Sequence, residues 1–148
     1  MILEGKIDLS VPRAKAWEFL LDINRFVSCM PGLEEVSPLD DRRFKGVIGA
    51  TVGPISGKFT FEAAIMESTP PKELTVRTEG TDSVTKSTVN GNISVTLTES
   101  TRNLTELCYR ADIEVKGRLA ILGDMVLRAT ASLLMEEFSR RLREQLEA

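Results

Sequence analysis

The chain has 148 residues, of which 42% are apolar and 28% charged, with a formal charge of −3. This is enough chain for one domain with a real core, expected over residues 1–148, and the weak charge without a basic cluster argues against a nucleic-acid partner. No histidine is present, which removes histidine-based triads, histidine-ligated metals and the easiest neutral-pH base. The first ten residues lack the basic start and continuous apolar run of a signal peptide, and no window has the length of a membrane span. The expected location is therefore the cytoplasm. Cys29 and Cys108 form no metal-spacing motif, and without a secretion signal a disulfide is not expected.

In chain order, residues 2–9 alternate as a half-buried strand, with Leu3, Ile7 and Leu9 on one row and Gly5 among them. The segment SVPRAKAWEFLLD then reads as a helix, with Ser10 as its cap and Pro12 near its first turn. A second short helix spans DINRFVSCM and is stopped by Pro31 and Gly32. Residues 33–53 read as strand, tight turn at Asp40–Asp41, strand. In the next strand, Ile55, Gly57, Phe59, Phe61, Ala63 and Ile65 share one row. Another strand carries Leu74 and Val76 inward. Residues 83–98 and 104–116 form a long hairpin. From Leu122 to Leu146 the period becomes helical, with Val126, Ala129, Leu133, Phe138, Leu142 and Leu146 as the expected stripe. The first half of this helix is apolar far around; the second half is charged.

Seven antiparallel strands need a cover on one face, and only the last helix is long enough to supply it. The expected fold is α+β: a helix-grip arrangement, a curved antiparallel sheet wrapped round a long C-terminal helix. Glycines 46, 49, 53, 57, 80, 91 and 117 fit that curvature.

FVSCMPGLEEV, GATVGPISGKF, RTEGTD and YRADIEVKGRLAILGDMVL, in this order, resemble the carbon monoxide dehydrogenase G-subunit family. That family is similar to the wider START, Bet v 1-like and polyketide cyclase superfamily (SRPBCC), which has the helix-grip fold. The resemblance covers nearly the whole chain and implies a lipophile-binding, accessory role. Members look like proteins that help a molybdenum hydroxylase of the carbon monoxide dehydrogenase type reach the membrane. Some bind a respiratory quinone in a hydrophobic cavity, and several carry a long membrane-attaching tail. This chain ends at Ala148, directly after its helix. The expectation is thus weak or transient membrane contact at most, peripheral to the inner face. No cofactor is demanded by the residues; a bound quinone is what the resemblance implies.

The residues themselves leave alternatives open. Cys29 either lines a pocket entrance or packs; a catalytic thiol would need a partner base, and no histidine is available. Met30 either packs against a flat ligand or fills core, and Pro31–Gly32 fixes a rigid turn. Trp17, Phe26, Phe59, Phe61 and Tyr109 fill the core, line a pocket, or divide between the two. Ser83, Thr85 and Ser87 share the parity of Val89 and form either a headgroup patch or a wet strand end. Met125, Val126 and Ala129 are expected to face the sheet, Met125 and Val126 as a movable wall and Ala129, with Gly123, leaving room. Asp82 sits at a turn and Asp112 points outward; no convergent pair of acids is found. The favoured function is a non-enzymatic binder of a hydrophobic small molecule. An assembly or recruitment factor docking on a molybdenum-containing oxidoreductase is the alternative, and a cyclase or dehydratase is less favoured. An edge strand would also allow a homodimer.

Overall fold

The computed structural model describes residues 1–147; Ala148 lies outside the described residues. Seven strands form one antiparallel sheet: β1 (Ile2–Leu9), β2 (Leu33–Pro38), β3 (Arg43–Val52), β4 (Ile55–Thr69), β5 (Glu73–Asp82), β6 (Ser87–Thr101) and β7 (Leu104–Lys116). Their spatial order is β1-β7-β6-β5-β4-β3-β2. All strands after β1 are joined to their sequence neighbours as hairpins; β1 closes the far edge against β7, with Leu3 opposite Ala111 and Ile7 opposite Leu107. Helices α1 (Arg13–Leu21) and α2 (Ile23–Val27) bridge β1 to β2, and α3 (Arg118–Ile121) leads into α4 (Asp124–Glu147). This is the expected α+β helix-grip architecture.

Strict alternation builds the sheet. In β4 the row containing Phe59, Phe61 and Ala63 is buried, while Ser56, Lys58, Thr60 and Glu62 are exposed. A period of two allows this only if one face is covered. The cover is α4, whose 24 residues span about 36 Å. Three polar contacts tie it along edge strand β1: Arg128 donates to the Ile2 carbonyl, Arg143 to the Asp8 carbonyl, and the Ser10 amide donates to Glu147. Ser10 therefore serves α4. Helix α1 is instead opened by Pro12, whose carbonyl accepts from Lys15 and Ala16.

The helix stripe differs from the expectation. Leu127, Ala131, Met135 and Phe138 are partly buried, Leu142 and Leu146 fully so, while Ala129 and Leu133 are exposed. The apolar first half offers two possible faces: the expected stripe is right at Val126 and wrong at Ala129 and Leu133. Residues 83–86 form a turn rather than strand, and α3 is an extra short helix. Gly53 and Gly117 sit at positive φ, 58° and 89°, in connections rather than in curved strand. A side chain at Gly117 would collide with the Lys86 carbonyl, so glycine is required where the chain leaves β7.

Candidate functional site

The hydrophobic core is split. At the α1 end, Ile7, Leu9, Trp17, Phe19, Leu97, Leu107, Leu142 and Leu146 form one buried cluster. At the α3 end, Val52, Phe59 and Leu119 form another, joined by Ile55, Leu122 and Val126. Between them the inner face of the sheet mixes small residues with one large ring, that of Phe61. Ala63, Thr78 and Gly91 lie directly opposite one another in β4, β5 and β6. Beside them, Gly46, Phe61 and Gly80 do the same in β3, β4 and β5. Toward β1, Ala111 faces Leu3 and Tyr109 faces Gly5, with the phenol ring lying across the glycine.

Neighbours take up much of the space these glycines leave: a β-carbon at Gly46 would meet the Phe61 ring, at Gly91 the Ile113 side chain and at Gly5 the Tyr109 phenol, whereas at Gly80 it would meet only ordinary contacts. Ile93 and Ile113 at the waist are only half-buried, as are Tyr109 and Met135 on the edge of the first cluster and Ile48 and Leu127 on the edge of the second. In a filled core they would be closed off. The accessible surface is 8683 Å² for 16.4 kDa, above the about 7500 Å² expected of a compact chain of that mass. Two shallow depressions, of about 440 and 380 Å³, lie on the surface, the second of them bordered by Ile113 and Leu127. The first is walled by Glu136, Arg140, Arg143, Glu144 and Glu147 on the outside of α4, the second by residues of β7 and the α3–α4 junction. The first has charged walls; the second mixes Asp112, Glu114 and Asp124 with the apolar Ile113, Val115 and Leu127.

The residues singled out from sequence fall into three groups. Trp17 and Cys29 are buried in the α1-end cluster, and Phe26 and Tyr109 pack against its border. The Phe26 ring meets Phe138 of α4 edge-on at 5.6 Å, joining α2 to the helix. Phe59 and Val126 belong to the α3-end cluster, Phe61 stands at the waist with its ring edge-on to Phe44 at 5.9 Å, and Met30 is half-buried in the α2–β2 connection.

The third group is corrected. Met125 is 85% exposed and Ala129 is exposed, so neither forms an inner wall; the helix turns its other apolar face to the sheet. Ser83 is exposed in the turn, because the turn breaks the parity of the strand. Thr85 and Ser87 are buried, but their hydroxyls are engaged. Thr85 donates to Asp82 at 3.1 Å and lies 3.0 Å from the Ser87 hydroxyl, which accepts from the Leu119 amide at 3.1 Å. Asp82, 4% exposed, also accepts from the Val84 amide at 2.8 Å. This network closes the β5–β6 turn and fastens α3 to it, with no hydroxyl aimed at the waist as a headgroup patch.

Cys29 also has a packing role. It is fully buried, its thiol pointing 4.0 Å from the Arg25 carbonyl. Burial pushes the thiol pKa above its ordinary value, which suppresses the thiolate a nucleophile needs. The following turn is rigid: Gly32 has φ +80° and accepts a hydrogen bond from the Gly49 amide at 2.8 Å, pinning the α2–β2 connection onto β3. Among the described residues there is no group of three or more acidic, cysteine or histidine side chains able to hold a metal.

Sequence reasoning counted Leu127 and Met135 only among the residues that widen the apolar first half of α4, and it left out Ala131; all three are partly buried. Their signal was present in the 127–131–135–138–142–146 spacing. Gly53, read from sequence as a curvature glycine, instead sits in the β3–β4 turn, where a β-carbon built on it lies 3.4 Å from the Val126 side chain, so that this turn leans on the start of α4.

The model of the carbon monoxide dehydrogenase G-subunit (CoxG) family matches residues 5–147. The chain belongs to the CoxG family. Solved structures place this CoxG chain in a wider fold group. A conserved protein from Geobacillus kaustophilus superposes with a TM-score of 0.92 at 21% identity, over 99% of this chain and 95% of that one. A START superfamily protein from Mycobacterium smegmatis gives 0.74 at 11% identity, over 99% and 97%. The Zhui aromatase/cyclase from a Streptomyces species gives 0.73 at 14% identity, over 99% and 93%. At these identities the likeness is one of fold, and it bears out the START-like helix-grip reading. No curated relative matches this CoxG chain.

Proposed function

We propose that this CoxG protein is a non-enzymatic accessory protein whose waist takes up one lipophilic guest of quinone type. The observation that carries the reading is the divided core: two packed ends, and between them a band of glycine and alanine under half-buried apolar side chains. Family and fold together point to a lipid-binding accessory role. A flat ring would lie against Phe61 and Ile113, with a chain running past Met135 and Phe138 toward Met30. Burial of apolar surface, at roughly 25 cal/mol per Å², supplies the affinity. The hydroxyl of Tyr109 is the group we assign to orient a guest carbonyl.

The partner we propose is a molybdenum-containing oxidoreductase of the carbon monoxide dehydrogenase type, the chain working in the cytoplasm at the inner face of the membrane. The family, named for a carbon monoxide dehydrogenase subunit, supports the choice of partner, and no feature of the interior is needed for it. Titration with a short-chain ubiquinone, read by the emission of the single tryptophan, Trp17, tests the interior. Saturation at micromolar concentration with one guest per chain is expected. Absence of saturation, with retention of the oxidoreductase on immobilised protein, would leave only the docking role.

A further inference from the structure

The first half of α4 has two apolar faces, and the sheet covers only one of them. On the outward face Met125 is 85% exposed and Leu133 67%, with Ala129 exposed between them. At its margins Ile121 of α3 is 82% exposed and Leu134 is 40% exposed. A single exposed apolar side chain is ordinary, but a row of them at four-residue spacing is a ridge of the kind that helices pack with. Farther along, the outward face changes character and carries Glu136, Arg140, Arg143, Glu144 and Glu147, all exposed. Helix α4 thus shows solvent an apolar first half and a charged second half.

We propose that this ridge joins two copies of the chain, α4 against α4, antiparallel about Ala129. Met125, Ala129 and Leu133 run large, small, large, and the order is the same in reverse. Turned about a twofold axis at Ala129, Met125 of one copy meets Leu133 of the other, and the small Ala129 lets the two helix axes approach closely. A size pattern that is its own complement suits an isologous contact. Ridges spaced by four residues cross at about −50°, so the two helices touch over their first halves and then diverge. Charge decides the direction. A parallel pair would set Glu136 against Glu136 and Arg140 against Arg140, like charges at each step. The antiparallel pair sends the two charged halves in opposite directions and also opposes the helix dipoles. Area sets the strength. Ile121, Met125, Leu133 and Leu134 expose on the order of 500 Å² per chain, below the roughly 800 Å² that each partner gives to a standard interface. The dimer is therefore reversible, with a dissociation constant in the micromolar range. The inference concerns the outer surface and stands without the reading of the interior.

The test is sedimentation equilibrium of the full chain from micromolar to near-millimolar concentration. A monomer–dimer equilibrium is expected. Met125→Glu with Leu133→Glu should raise the dissociation constant about a hundredfold or more, because carboxylates would be buried against the partner. Both side chains are exposed, so this variant should melt like the parent at a dilution where both are monomers. Met66→Glu, on the 54%-exposed methionine of β4, should dimerise as the parent does. Gly80→Leu, which fills the waist, should also dimerise normally, so failure of the contact and failure of the interior reading are told apart. Direction is read by oxidation on a Cys108→Ser background, where the remaining Cys29 is buried. Ala129→Cys should give a disulfide-linked dimer and Arg140→Cys should not. A monomer at every concentration, a dimer indifferent to Met125→Glu with Leu133→Glu, or linkage through Arg140→Cys but not Ala129→Cys would each overturn the proposal.

Discussion

Gly80 offers the sharpest test of the divided core. It lies on the inner face of β5, directly opposite Phe61 and Val89. A β-carbon there would meet only ordinary contacts, the nearest being Cβ of Phe61 at 3.6 Å. Its φ is not positive, so a side chain is compatible with the strand. In Gly80→Leu the new side chain points into the waist. If the waist is unfilled, removing a strand glycine stabilises by about 0.4–1 kcal/mol, and burying part of a leucine adds about 1–2 kcal/mol. Each kcal/mol moves the melting temperature of a chain this size by roughly 2–4 °C. The variant should melt a few degrees higher and lose its quinone response. If the waist is already packed, overfilling costs about 1–3 kcal/mol and the melting temperature falls. The sign of the change in thermal or urea unfolding therefore decides the matter, and a clear fall would refute the reasoning.

Other expectations follow from the same packing. Gly117→Ala should destabilise by about 1–3 kcal/mol, measured by urea unfolding, because φ is +89° and the new methyl meets the Lys86 carbonyl. Thr85→Val should cost about 1–3 kcal/mol by leaving a buried oxygen of Asp82 without its hydroxyl donor, yet should not change guest affinity. Burial raises the Cys29 pKa above its ordinary value near 9, so the native state holds that proton to higher pH than the unfolded chain. Stability from this group is complete below pH 9 and declines as pH rises through the native value; Cys29→Ala should flatten that alkaline limb in denaturation measured against pH.

The sheet was legible because each strand repeats a period of two against one covered face, and Phe59, Phe61 and Ala63 could sit nowhere but inward. The end of α4 was equally plain: Leu142 and Leu146 are the apolar positions in a charged run, and both are buried. Its beginning was ambiguous, because the expected Val126, Ala129 and Leu133 stripe, which Met125 widens, is as regular as Leu127, Ala131 and Met135. The choice is made by tertiary contacts no local pattern contains, namely Arg128 reaching the Ile2 carbonyl and Val126 meeting the β3–β4 turn. The hydroxyl row failed for a related reason. Parity carries Ser83, Thr85 and Ser87 inward only if the strand is continuous, whereas Asp82 captures the Val84 amide and bends the chain into a turn. The small residues of the waist were visible as glycines suited to curvature. That Ala63, Thr78 and Gly91 stand in one row across three strands depends on register, which the sequence of each strand does not state.

Native mass spectrometry of the chain, expressed in cells and purified without detergent, tests the central claim most directly. The account predicts a species heavier than the bare chain by the mass of one hydrophobic compound, released on collisional activation and missing from Gly80→Leu. A bare chain in both proteins, with no mass gained when a quinone is added, would contradict it.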